Sequence, residues 1–161
     1  MTQEEKQILL QDLCARLPYG VKVKTPYNDA ILIGIIDRKG YKKDERYIDA
    51  ITDRQTYPIR YVQPYLRPMS SMTEDEKSEL LIHILGNKED TKYFQVMPDG
   101  SIDPTDESTQ ELINFSFHWI NFDGINTSAY IDWLNARHFD YRGLIPKGLA
   151  IEAPKDMYKT E

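Results

Sequence analysis

The chain has 161 residues, of which 40% are hydrophobic and 29% charged, and its net charge is −6. This composition is typical of a globular protein and excludes a disordered or fibrous chain. The single cysteine, Cys14, excludes an internal disulfide, and no window approaches the roughly 18 apolar residues of a membrane-spanning helix. Because the polar start MTQEEKQILL lacks the features of a signal peptide, we expect a cytoplasmic protein.

The charge is unevenly divided along the chain. Residues 1–72 carry 12 Lys and Arg against 9 Asp and Glu, whereas residues 73–161 carry 8 against 17. Such a division can indicate a basic face for an anionic partner. A solvated surface must nevertheless be charged somewhere, and net charge says little about fold.

The first part of the chain predicts a helix followed by short strands. Thr2 and Glu5 form a capping box that opens a helix over residues 2–16. Between residues 21 and 62, VKVKT alternates apolar and basic residues as a half-buried strand does, and AILIGIID is the continuous apolar run of a buried strand. RYIDAIT and YPIRYV follow after turns and predict two further strands. Gly34 indicates a bulge or a close backbone approach. Short strands with hairpin-sized loops favour a small antiparallel SH3-like β-barrel.

The second part predicts mostly helix. Residues 63–72, QPYLRPMSSM, indicate a linker or an extended strap because of their prolines. Thr73 opens a helix that Gly86 ends, KYFQVM predicts a short strand, and residues 127–137 predict a last helix. Ser108 and Glu111 favour a further helix, although the alternation of Phe115, Phe117 and Trp119 also suits a strand.

The predicted fold class is therefore α+β: an N-terminal helix, a small antiparallel SH3-like β-barrel, and an acidic, mostly helical C-terminal half. The predicted domains are residues 1–68, the helix plus barrel, and residues 73–161, the acidic helical half. One shared core is the alternative.

No catalytic or metal-binding motif stands out. The three histidines lack the paired spacing of metal ligands, and the chain has no nucleophile elbow, P-loop or dinucleotide fingerprint. We therefore predict no catalytic residues, no metal and no cofactor. A small hydrolase-type enzyme is the least favoured alternative, and it would use carboxylates near the strand ends: Asp37, Asp49 and Asp53.

Aromatic and arginine residues mark the candidate partner-binding positions. Seven of the 11 tyrosines lie in the first 65 residues, interleaved with arginines. This mixture suits single-stranded nucleic acid or a peptide groove, and tyrosines are also ordinary strand formers. Because Trp, Tyr and Arg dominate binding hot spots, the candidates are Tyr57, Arg60, Tyr61, Trp133, Arg137, Tyr141 and Arg142. For the last four, the structural alternative is that they cap the helix and pack it onto the chain's own core.

Two stretches, WLNARHFDYRGLIPKGLAIEAP and QPYLRPMSSMTEDE, resemble a family of short uncharacterised proteins of phages and prophages of Bacteroidetes-type bacteria. That family has no assigned activity, so the resemblance implies only a small cytoplasmic accessory protein of a mobile element. The leading hypothesis is a non-enzymatic protein-binding accessory module, with a single-stranded nucleic-acid-binding accessory protein as the alternative. The expected partner is another protein, with nucleic acid possible and a membrane excluded.

Overall fold

The structure, a computed structural model, describes residues 1–40, 46–86, 88–105 and 125–158. The chain divides into two compact units, Met1–Arg67 with Arg142–Glu161 (unit 1) and Pro68–Tyr141 (unit 2). The last twenty residues thus group with unit 1, whereas the sequence-based division joined them to residues 73–141. The helix predicted after Ser108 lies outside the described residues.

The described residues form three α-helices and eight strands, besides short 3-10 turns. The helices are α1 (Gln3–Arg16), α2 (Glu74–Leu85) and α3 (Ile125–Ala136). The strands are β1 (Lys22–Lys24), β2 (Asp29–Lys39), β3 (Arg46–Thr52), β4 (Thr56–Pro58), β5 (Gln63–Leu66), β6 (Phe94–Val96), β7 (Ile102–Pro104) and β8 (Ile151–Glu152).

Unit 1 contains an open sheet with the strand order β4-β3-β2-β1-β5-β8. Its described pairs are antiparallel except β5 with β8, which are parallel. The described strands do not close into the predicted SH3-like barrel, because β5 pairs with β1 and then receives β8, not β4, on its other side. Addition of a strand from the end of the chain, instead of closure, covers the edge of β5.

Helix α1 covers one face of this sheet. The predicted capping box is confirmed: the Glu5 amide donates to Thr2 Oγ1 at 3.1 Å, and the Thr2 amide donates to the Glu5 carboxylate at 2.6 Å. The apolar side of the helix packs with inward-facing strand residues and with part of the C-terminal segment. This cluster includes Leu9, Leu13, Val23, Leu32, Ala50, Leu144 and Leu149.

The β2 strand carries the irregularity predicted at Gly34. Its register with β3 shifts between Leu32 and Gly34, and a Cβ at Gly34 would lie 3.3 Å from Cδ1 of Ile51. Both the bulge and the close approach are therefore present. The bulge matters for the site because it places Ile33 and Gly34 on the same, outward face of the sheet.

Unit 2 packs α2 and α3 with a β-hairpin. The second capping box is confirmed, with the Glu76 amide donating to Thr73 Oγ1 at 3.2 Å, and α2 ends at Gly86 with φ of 76°. Its core includes Leu80, Ile84, Phe94, Val96, Leu134 and Phe139. Since β6, β7 and β8 all follow residue 72, a mostly helical C-terminal half is not confirmed.

Candidate functional site

Trp133, one of the candidate anchors, is a core side chain of unit 2. It is only 5% exposed, and its ring stacks on Phe139 with centroids 5.9 Å apart and planes 6° apart. Its indole Nε1 is buried without a hydrogen-bond partner among the described residues. The Arg137 guanidinium lies 4.1 Å above the ring and is ion-paired with Glu79. Trp133 therefore serves packing, and the charge of Arg137 is already compensated.

The turn after α3 is a capping structure. The Phe139 amide donates to Leu134 O at 3.0 Å and the His138 amide donates to Asn135 O at 3.1 Å, which is the hydrogen-bond pattern of a Schellman motif. His138 stands where glycine is usual, with φ of 59°. The Tyr141 hydroxyl donates to Asn135 Oδ1 at 3.1 Å. This corner is thus accounted for by helix termination.

Arg142 belongs to unit 1, apart from the other members of its predicted group. Its Nε lies 3.5 Å from Oδ1 of Asp12. Asp12 is fully buried and is held at the same time by Arg16, through bonds of 2.8 and 3.0 Å from Nε and Nη2. Arg142 therefore fastens the C-terminal segment of unit 1 to α1.

The remaining three candidates are divided between core and surface. Tyr57 is 5% exposed and faces inward, so it has little surface to offer. Tyr61 is 51% exposed, and the Arg60 guanidinium lies 4.9 Å above its ring. Among the described residues, Arg60 forms no ion pair. Only Arg60 and Tyr61 of this group present an accessible cation and ring.

The most conspicuous surface of unit 1 was missed by sequence reasoning. On β2, Ile31, Ile33 and Ile36 are 40%, 60% and 36% exposed, and Tyr47, which faces the same side from β3, is 45% exposed. We call these four residues the isoleucine face. The prediction that AILIGIID is a buried strand is therefore wrong for one of its two faces, because α1 covers only the side that carries Leu32.

Charged pairs flank the row of Ile31, Ile33 and Ile36, and in the second pair Asp49 lies opposite Ile36 and Arg38 lies opposite Tyr47. Lys24 Nζ lies 3.3 Å from Asp29 Oδ1 at one end, and Arg38 Nε lies 3.3 Å from Asp49 Oδ2 at the other. Among the described residues, each end of this row thus has a cation and an anion. Between the pairs lie the three isoleucines, with Lys22 opposite Ile31 on the neighbouring strand, and Gly34 adds no side chain.

The carboxylates proposed for a hydrolase do not form a catalytic group. Asp49 is paired with Arg38, and Asp53 accepts a hydrogen bond of 2.9 Å from the Ile31 amide. Asp37 faces the opposite side of the sheet from Asp49, as the register of β2 and β3 requires. Nowhere in the described ranges do three or more His, Cys, Asp or Glu side chains meet as metal ligands would.

None of the helices described here is long and apolar enough to cross a membrane. Comparison with known proteins adds no relative: no family model, no curated protein and no solved structure matches this chain.

Proposed function

We propose that this chain is a non-enzymatic protein-binding module whose contact surface is the isoleucine face. One observation carries the proposal: three isoleucines of a single strand, Ile31, Ile33 and Ile36, lie exposed on one face of a sheet. The solvent side of an antiparallel sheet is normally polar. A contiguous exposed apolar patch with a polar border is typical of a surface that another protein covers.

The energetics agree with a binding role. Full burial of one isoleucine contributes roughly 1.5–3 kcal/mol, so three half-exposed isoleucines could together contribute about 2–5 kcal/mol. That free energy is too small for tight binding by itself, since association also costs translational and rotational freedom. The rim pairs Lys24–Asp29 and Arg38–Asp49 would therefore have to take part in the interface.

The pairing of charges favours a protein over nucleic acid. Binding of single strands needs a basic groove lined with aromatic rings. Arg38, Arg137 and Arg142 are each engaged by a carboxylate within the chain. The chain as a whole is also negatively charged, at −6.

The test is capture of a partner from a bacterial lysate by the immobilised protein. Ile33→Lys changes the most exposed residue of the face, and Ile82→Lys, an equal chemical change at a 38% exposed position on α2, is the matched control. We expect a specific protein that Ile33→Lys loses and Ile82→Lys retains. Equal capture by both variants would contradict the proposal, and so would no capture above background from a chain that also does not associate with itself.

A second candidate is binding of single-stranded nucleic acid at Arg60 and Tyr61. The support is the exposed ring of Tyr61 with a guanidinium stacked on it at 4.9 Å. Fluorescence anisotropy with a labelled oligonucleotide should then show affinity that falls with salt and falls further in Arg60→Ala. Absence of binding at low salt removes this candidate. An accessory role in a phage or mobile element is proposed from the sequence resemblance alone.

A further inference from the structure

We infer that the partner of the isoleucine face is a second copy of this chain, joined to the first across a two-fold axis. This inference rests on the proposed function and names its partner. In a two-fold interface the same patch is used on both chains, so the patch must be complementary to itself. Two properties of the isoleucine face meet that requirement.

The first property is the charge of the rim. Lys24 and Asp29 stand at one end of the row of three isoleucines and Arg38 and Asp49 at the other, each pair 3.3 Å apart. Because both signs are present at both ends, rotation by 180° can set each cation of one copy opposite an anion of the other. A strongly acidic or strongly basic partner would meet one like and one opposite charge at each end, so its charge would gain nothing there.

The second property is the shape of the face. Gly34 lies at its centre with no side chain, and Ile51 fills the space above it. Two sheets pack face to face at about 10 Å when their side chains interdigitate. Ile33, the most exposed of the three isoleucines, projects beside the surface that Gly34 and Ile51 form, and in a two-fold pair each Ile33 can pack on that surface of the other copy.

The area of the isoleucine face sets the expected affinity of the dimer. The largest apolar patch on an ordinary monomer covers on the order of 300–600 Å², whereas each partner in a standard interface buries roughly 800 Å². The isoleucine face is therefore the centre of a modest interface that the charged rim completes. We expect a dimer with a dissociation constant in the micromolar range.

The salt dependence of association distinguishes this dimer from a complex held together by charge. Each copy carries −6, so the two chains repel one another at long range, and salt screens that repulsion. Association through an apolar centre should therefore be retained or strengthened between about 50 and 500 mM salt. Binding driven by release of counterions from nucleic acid weakens over the same range.

The experiment is sedimentation velocity of the purified full chain over a concentration series from low to high micromolar. We expect the mass to rise from 18.8 kDa toward twice that value for the wild type and for Ile82→Lys. Ile33→Lys should remain monomeric, with circular dichroism showing that it is folded. Arg38→Glu keeps every apolar side chain of the face but leaves two acids at one end, and it should weaken the dimer several-fold at low salt and less at high salt.

The outcomes separate this inference from the proposed function. A wild type that stays monomeric throughout, or a dimer that Ile33→Lys leaves intact, overturns the two-fold dimer. If the protein is monomeric and lysate capture still depends on Ile33, the binding role stands and the partner is a different protein. If neither assay responds to Ile33→Lys, both proposals fail.

Discussion

The buried carboxylate of Asp12 offers the sharpest test of what holds unit 1 together. Asp12 and Arg16 have no exposed side-chain surface, and they are joined by two bonds of 2.8 and 3.0 Å. Arg142 approaches the same carboxylate at 3.5 Å. We predict that Asp12→Asn strongly destabilises unit 1, because it leaves the Arg16 cation in the core without its anion.

The expected loss in the free energy of unfolding is large because the pair is buried. Breaking a buried ion pair by removal of one partner costs roughly 3–5 kcal/mol, whereas an exposed pair contributes about 0–1 kcal/mol. Lys24→Gln, which breaks the exposed pair of Lys24 with Asp29 in the same unit, is the matched control. Replacement of both buried partners, as in Asp12→Leu with Arg16→Met, should cost less than Asp12→Asn, since no uncompensated charge then remains in the core.

The assay must report on unit 1 by itself. Trp133 lies in unit 2, so its fluorescence is the wrong probe, and hydrogen exchange of α1 and β8 peptides by mass spectrometry is the right one. Loss of about 3–5 kcal/mol lowers protection by roughly two to four orders of magnitude. Protection of α1 in Asp12→Asn within a few-fold of that in Lys24→Gln would refute the reasoning.

Three further predictions concern single residues. Thr73→Ala removes the cap of α2 and should cost about 1 kcal/mol, measured by urea unfolding followed by the fluorescence of the two tryptophans, Trp119 and Trp133. Gly86→Ala should cost about 1 kcal/mol in the same assay, and the cost comes from φ alone, because a Cβ there meets nothing within 4 Å. Burial raises the pKa of Tyr158 to about 12 from 10.0, so the folded state keeps a proton that the unfolded state loses. The contribution of Tyr158 to the free energy of unfolding is therefore fully present below pH 10 and is lost, by about 2–3 kcal/mol, toward pH 12. Urea titrations across this range should show that Tyr158→Phe removes this loss.

Local signals in the sequence predicted local structure well. The capping boxes at Thr2 and Thr73 require only residues three positions apart, and both are present. Strand β3 has the bounds that RYIDAIT indicated, and the bulge at Gly34 is where the missing side chain placed it. Each of these features depends on a few neighbouring residues, so no tertiary contact was needed to anticipate it.

Strands β5 and β8 could not be predicted in the same way. Pro64 and Pro68 indicated a linker, yet Pro64 lies opposite Val23 within the sheet. The pairing of Tyr65 with Ile151 joins parts of the chain that are far apart in sequence, and Tyr158 adds a hydroxyl bond of 2.8 Å to Tyr65 O. These contacts are created by the tertiary structure, and the proline rule describes only the isolated segment.

The candidate site was missed for a different reason. Residue type alone does not distinguish a residue that anchors a binding partner from a core side chain. Trp133 and Tyr57 are of the residue types that dominate binding hot spots, yet both are buried in the core. Likewise, a continuous apolar run on a strand predicts burial of both faces, and it cannot reveal that the described residues cover only one of them. The useful signal was the combination of an apolar run with an antiparallel hairpin, which normally leaves one face in solvent.

The same sheet shows why association should occur through its face. Exposed edge strands invite pairing with other chains, and short strands or proline prevent it. Here β4 has three residues and ends at Pro58, and β8 has two, so neither edge offers a long ladder. The outward side of β2 has no such protection: three isoleucines remain where polar residues would be expected. The open apolar face departs from the usual pattern of an antiparallel sheet, and such departures are expected where a protein acts.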